Sequence, residues 1–162
     1  MTYEIEVQND DAYPVNDERL VVAVREVMER HAVEAGTAVT IVITSNEDVA
    51  ALNRDFRGVD SPTDVLSFPA DIPPMPGEAP YLGDLIIAYP YASAQAAREG
   101  HALMDSLSLL VVHGTLHLLG YDHDTFENKA EMWATQNEAL LALGISPDIV
   151  PPLEIGSDHD ED

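Results

Sequence analysis

The stretch Ala102–His123, ALMDSLSLLVVHGTLHLLGYDH, decides how this chain is read. Leu103, Leu107, Leu109, Leu110, Val111, Val112, Leu116 and Leu118 point in every direction around a period of 3.6 residues. A helix that is apolar all round is central and buried. The spacing predicts that helix over Ala102–Leu119, with Gly120 just past its end, where glycine takes a left-handed backbone without a Cβ penalty. Two histidines interrupt the apolar run. His113 and His117 are one turn apart, so their imidazoles leave the same face. Burying two such rings without partners costs on the order of 1–3 kcal/mol each. A reversal at Gly120 swings His123 back toward them. Three neutral imidazoles make a tetrahedral metal site with one position open, the mark of a catalytic rather than a structural centre. The candidate ligands are therefore His113, His117 and His123.

On the N-terminal side, Tyr3–Val7 alternates apolar and acidic residues and reads as a half-buried strand. Asp17 to about Glu34 reads as a helix with Leu20, Val21, Val24, Val27 and Met28 on one face and Gly36 as its stop. Val39–Thr44 is β-branched and reads as a strand. Ser45 caps a helix to about Phe56 that carries Val49, Leu52 and Phe56 inward. Asp64–Phe68 and Gly83–Ala88 are further strands. Between them, Pro69, Pro73, Pro74, Pro76 and Pro80 mark a long surface loop, a lid or a passive insertion. Pro90 opens a helix that stops near Gly100. On the C-terminal side, Thr125 to about Leu143 forms the last helix, with Asp124 as the favoured cap and Gly144 as its stop. From Ile145 onward three prolines and the acids Glu154, Asp158, Asp160, Glu161 and Asp162 predict a disordered tail over residues 145–162. The expectation is an α+β fold: one domain over residues 1–144, a small mixed sheet of about four strands packed with about five helices, and the metal site on the central buried helix.

Composition sets limits on function. The chain has 162 residues, 46% of them apolar, enough for one domain with a sizeable core. It has no cysteine, which excludes disulfide scaffolds, thiolate zinc sites and cysteine nucleophiles. No secretory leader and no apolar run of about 18 residues is visible, so a cytoplasmic protein that does not enter a membrane is expected. Thirty acids against seven bases give a formal charge of −23. A nucleic-acid binder ordinarily carries a basic face, so global charge argues against one and the motifs argue for one.

The histidine spacing overlaps that of zinc peptidases, H-E-x-x-H-x-x-G-x-x-H. Here Gly114 follows the first histidine, so the glutamate that serves those enzymes as general base is missing. The segment 113–123 instead resembles the H-G-x-L-H-L-x-G-Y-D-H motif of the YbeY family of bacterial rRNA-maturation endoribonucleases. Two more blocks agree in order and spacing. Leu52-Asn53, Phe56-Arg57-Gly58 and Asp60 through Pro69 match L-N…[YF]-R…D…P-T-[DN]-V-L-S-F-P, and Gly83-Asp84-Leu85-Ile86-Ile87 matches G-D-I-x-I.

The resemblance implies a metal-dependent endoribonuclease that prefers single-stranded RNA, matures the 3′ end of 16S rRNA and takes part in ribosome quality control. It implies one zinc ion (Zn2+) per chain, held by His113, His117 and His123, with Arg57 as the key catalytic residue outside the metal. It implies rRNA and the ribosome, the small subunit in particular, as partners. The residues fit that division of labour, because a guanidinium suits the charge that builds on a cleaved phosphodiester. An ion pair of Arg57 with Asp55 or Asp60 is the plainer reading of the same arginine. Around the site, Asp122 and Asp124 are candidates to orient an imidazole, and Tyr121 to donate a hydroxyl. Ser67 and Asp84 are candidates to line the pocket. His31 and His159 are expected to be exposed, and His101 is unassigned. Two other classes stay open: an assembly factor whose metal is mainly structural, and a metalloprotease-like hydrolase with a different base.

Overall fold

The strand and helix periodicities come together around the apolar helix. The computed structural model describes residues 2–70, 73, 75–78 and 80–150. Its elements are β1 (Glu4–Gln8), α1 (Asp17–Arg30), β2 (Ala38–Thr44), α2 (Asn46–Arg57), β3 (Val65–Pro69), β4 (Tyr81–Ala88), α3 (Tyr89–Glu99), α4 (Leu103–Leu118) and α5 (Phe126–Ala142), then a 3-10 turn at Pro147–Ile149. The sheet order is β1-β2-β4-β3. β1, β2 and β4 run parallel, and β3 pairs antiparallel with β4 at the edge. The expected α+β domain with a four-stranded mixed sheet and five helices is found.

Side chains alternate across the strands and so build two cores. Val39, Ile41, Ile43, Val65, Leu85 and Ile87 pack with α1, α4 and α5 in the larger one. Leu66, Ile86 and Ala88 meet Val49 of α2 on the opposite face. α4 contacts α1, α3, α5, β3 and β4, which is why it had to be apolar all round. Leu107, Val111, Val112 and Leu116 are fully buried, and truncating one such leucine to alanine costs about 2–5 kcal/mol.

Several boundaries differ from expectation. α1 stops at Arg30, short of Glu34: the His31 ring bonds to the Val27 carbonyl (2.9 Å), and Ala32 turns to φ 53°. His31 is accordingly part-buried, not exposed. Phe56 does not point inward; it is 68% exposed. Its one described ring contact is with Phe68 of edge strand β3, at 5.4 Å and 67°. The cap of α5 is Thr125, which accepts from the Asn128 amide, while Asp124 bonds the Asn128 side chain (2.7 Å). The expected unstructured tail does not hold for 145–150: Ile145 is buried in the main core and Ser146 caps the 3-10 turn. The rest of that tail, 151–162, with His159, lies outside the described residues, as do 71, 72, 74 and 79 of the proline loop.

Candidate metal centre

The position of the centre follows from how α4 meets the sheet. Gly114 has no side chain, and a Cβ there would lie 2.7 Å from Leu85 Cδ2 and 3.1 Å from Ser67 Oγ. The helix therefore settles onto β3 and β4, and Ser67 Oγ donates to the Gly114 carbonyl at 3.3 Å. The residue that replaces the peptidase glutamate is thus a packing glycine. Gly120 follows α4 at φ 103°, a conformation L side chains rarely adopt. Its turn brings His123 back over the helix end.

One ligand nitrogen from each of His113, His117 and His123 lies within 4.8 Å of the other two. The Nε2 atoms of His113 and His117 are 3.2 Å apart. Their other nitrogens are committed. His117 Nδ1 donates to the Tyr121 carbonyl at 2.9 Å, and a carbonyl can only accept. His113 Nδ1 donates to Gln136 Oε1 at 2.8 Å. With both Nδ1 atoms protonated, the neutral rings turn two Nε2 lone pairs toward each other. A cation relieves that opposition. Tetrahedral zinc at about 2.0–2.1 Å from each nitrogen sets ligand atoms about 3.3 Å apart, so the donor set fits such an ion.

Electrostatics hold the His113 and His117 rings in the ligating form. Burial, then the proximity of His117, lowers the His113 pKa from 6.5 to about 3. Burial, followed by the neighbouring His123, also lowers His117, and Arg57 contributes in the same direction. A neutral imidazole is the form that binds a metal.

A cavity of about 490 Å³ opens beside the rings, lined among others by Arg57, Ser67, Pro69, His117, Asp122 and His123. Arg57 is in the last turn of α2, and Gly58 ends that helix in a left-handed conformation. The following loop is held at both ends by residues of the matching blocks. Asn53 Nδ2 donates to the Ser61 carbonyl at 2.9 Å. Asp64 accepts from the Val65 amide (2.7 Å) and from Gln95 (3.3 Å), and burial raises its pKa. Arg54, three residues before Arg57, meets Asp55 and Asp60 at 3.4 and 3.8 Å.

The structure sorts the other candidates. Ser67, Asp122 and Asp124 reach the cavity wall. Asp122 accepts from the His123 amide at 2.7 Å and so shapes the turn. The Tyr121 hydroxyl points away, to His31 Nε2 at 3.2 Å; its backbone carbonyl is what serves the site. Asp84 bonds the Tyr81 hydroxyl and is not among the cavity-lining residues. Gln136 and Trp133 were missed. Trp133 stands edge-on to His113 and His123, at 5.6 and 5.9 Å. Gln136 is fully buried between Met132 and Leu140 on the inner stripe of α5; a glutamine at a core position was the available signal.

Comparison with known proteins agrees with this geometry. A sequence model of the family described as Endoribonuclease YbeY matches residues 4–144. Proteins named Endoribonuclease YbeY from Chloroflexus aurantiacus and Moorella thermoacetica are 41% and 42% identical, each over 88% of this chain and over 96% and 98% of their own lengths. One from Geobacillus thermodenitrificans is 42% identical over 80% of this chain and 87% of its own. A Thermotoga maritima protein solved in solution superposes with a TM-score of 0.57 at 26% identity, covering 88% of this chain and 89% of that one. With the family model matching residues 4–144 of its 162, this chain belongs to the endoribonuclease YbeY family.

Proposed function

We propose that this chain is a metal-dependent endoribonuclease acting on single-stranded ribosomal RNA, including the 3′ end of 16S rRNA, in rRNA maturation and ribosome quality control. The observation that carries the proposal is the cluster of His113, His117 and His123, with one ligand nitrogen of each within 4.8 Å of the others, beside an open cavity lined by His117, His123 and Arg57 in a chain of this family. The endoribonuclease domain is residues 1–144, and the small ribosomal subunit in the cytoplasm is the setting. Among the described residues no helix is long and apolar enough to cross a membrane.

His113, His117 and His123 would hold one zinc ion. When bound, such an ion supplies Lewis acidity, polarising a phosphoryl oxygen and easing deprotonation of a nucleophile. Gln136 and Tyr121 fix which nitrogen of His113 and His117 is presented. Arg57 binds non-bridging phosphate oxygens through a planar, permanently charged fork and stabilises charge that grows on them as the bond breaks. Asp122 and Asp124 at the rim repel a polyanion, so the strand is admitted on the side of Arg57.

The test is metal content by elemental analysis together with cleavage of a single-stranded rRNA fragment, in wild type, His117→Ala and Arg57→Ala. The expected result is one zinc per chain, both metal and cleavage lost in His117→Ala, and cleavage alone lost in Arg57→Ala. A folded, metal-free His117→Ala protein that still cleaves RNA would overturn the reading.

A further inference from the structure

We infer that Phe56, backed by Phe68, is a stacking platform for one nucleobase of a single-stranded RNA whose neighbouring phosphate lies at Arg57; the inference rests on the function proposed above. Phe56 is an aromatic ring on a helix of a protein that buries its other large apolar side chains on that helix: Val49 is fully buried and Leu52 packs on the second core. Phe56 stays 68% exposed. Its contact with Phe68 is near edge-to-face, at 67°, and such a pair covers one of four ring faces. Phe68 is itself anchored against the second core, so Phe56 stands on a firm base.

Its place in the fold points to the occupant. Phe56 immediately precedes Arg57, and Phe68 lies between Ser67 and Pro69; Arg57, Ser67 and Pro69 all line the metal cavity. β3 is an edge strand, with Ser67 turned to α4 on one face and Phe68 to the second core on the other. A strand that crosses this edge with a phosphate at Arg57 brings an adjacent base to Phe56. Charge gives the second argument. Thirty acids against seven bases leave little Coulombic attraction for a polyanion. Arg19 is paired with Asp105 of α4 and Arg30 with Glu26 of its own helix α1, and Lys129 is buried over Trp133. Stacking is indifferent to net charge and to base identity, and serves single strands because their bases are unpaired.

The experiment uses the full chain with Phe56→Ala, Phe56→Leu and Phe56→Tyr. Binding is read in metal-stripped protein from the fluorescence of a short single-stranded RNA carrying one 2-aminopurine, and cleavage is read in the zinc-loaded protein. The expected result is quenching in wild type and Phe56→Tyr. In Phe56→Ala and Phe56→Leu, binding weakens at least about fivefold, the lower end for one base–aromatic stack, and the cleavage defect falls on KM. Wild-type cleavage with Phe56→Ala equal to it in affinity and KM overturns the platform and leaves the endoribonuclease reading standing. Phe56-dependent quenching without wild-type cleavage supports the platform and overturns that reading. Recovery by leucine as complete as by tyrosine overturns stacking, as does a defect seen only on ribosomal subunits, which would mark a protein contact.

Discussion

Gln136 Oε1 accepts the Nδ1 proton of His113 at 2.8 Å, across 23 residues of sequence, and this bond ties the proposed metal centre to the middle of α5. Removing the partner of a ligating histidine typically weakens metal affinity 10–100-fold. Gln136→Leu is therefore expected to lower zinc affinity by that factor in a chelator competition. The Gln136 Nε2 has no partner and is buried, so the leucine also removes an unpaired donor and the metal-free fold changes little. Unchanged affinity would show that His113 needs no orienting bond.

Metal-free protein is expected to lose stability in acid. Above pH 6.5 the His113 ring is neutral whether folded or not. Below it the unfolded chain takes up a proton that the folded chain refuses until about pH 3. Stability from this residue thus falls as pH drops from about 6.5, by up to about 1.4 kcal/mol per pH unit. His117, also lowered, acts in the same direction. Urea unfolding of chelator-treated wild type and His113→Leu between pH 7.5 and 4.5 isolates the slope; parallel curves would refute it.

Gly114→Ala gains up to about 1 kcal/mol of helix propensity and loses about 1–3 kcal/mol to crowding against Leu85 and Ser67. The crowding wins, and a net loss near 1 kcal/mol is expected in thermal unfolding. Gly114→Glu, which restores the peptidase motif, is expected to disrupt the seat of α4 and yield no casein hydrolysis.

Arg57→Lys keeps the charge and loses the fork. Cleavage is expected to fall about 100- to 1,000-fold, as when one donor to a developing oxyanion is removed, with zinc content unchanged. Loss of zinc in this variant would instead make Arg57 part of the metal site's scaffold.

RNA affinity is expected to depend weakly on salt, with fewer than about three counterions released, since each phosphate neutralised adds about 0.7 to the slope for a single strand. A slope of six or more in a salt titration would contradict this.

Much of the fold was legible because α4 is apolar on every side, and the convergence of His113, His117 and His123 because their spacing on a helix and a turn is local. What was hidden depends on contacts between distant segments. The stripe that holds Val49 predicts Phe56 inward, but among the described residues the sheet ends at β3 and no further strand receives it. His31 looked like a surface residue until its ring met Tyr121, 90 residues away. Gln136 has no local signature beyond being polar on an apolar stripe. Ile145 follows a helix stop, yet the chain doubles back and buries it at 3% exposure.

The edge position of β3 also bears on which RNA molecules the proposed enzyme accepts. A cavity at the margin of a sheet is approached from the side. A strand can be laid across it with both ends in solvent, so no terminus has to be grasped and nothing has to be threaded. Distance from the nearest chain end then does not matter to cutting, and a covalently closed single-stranded circle is as good a substrate as a linear molecule of the same sequence.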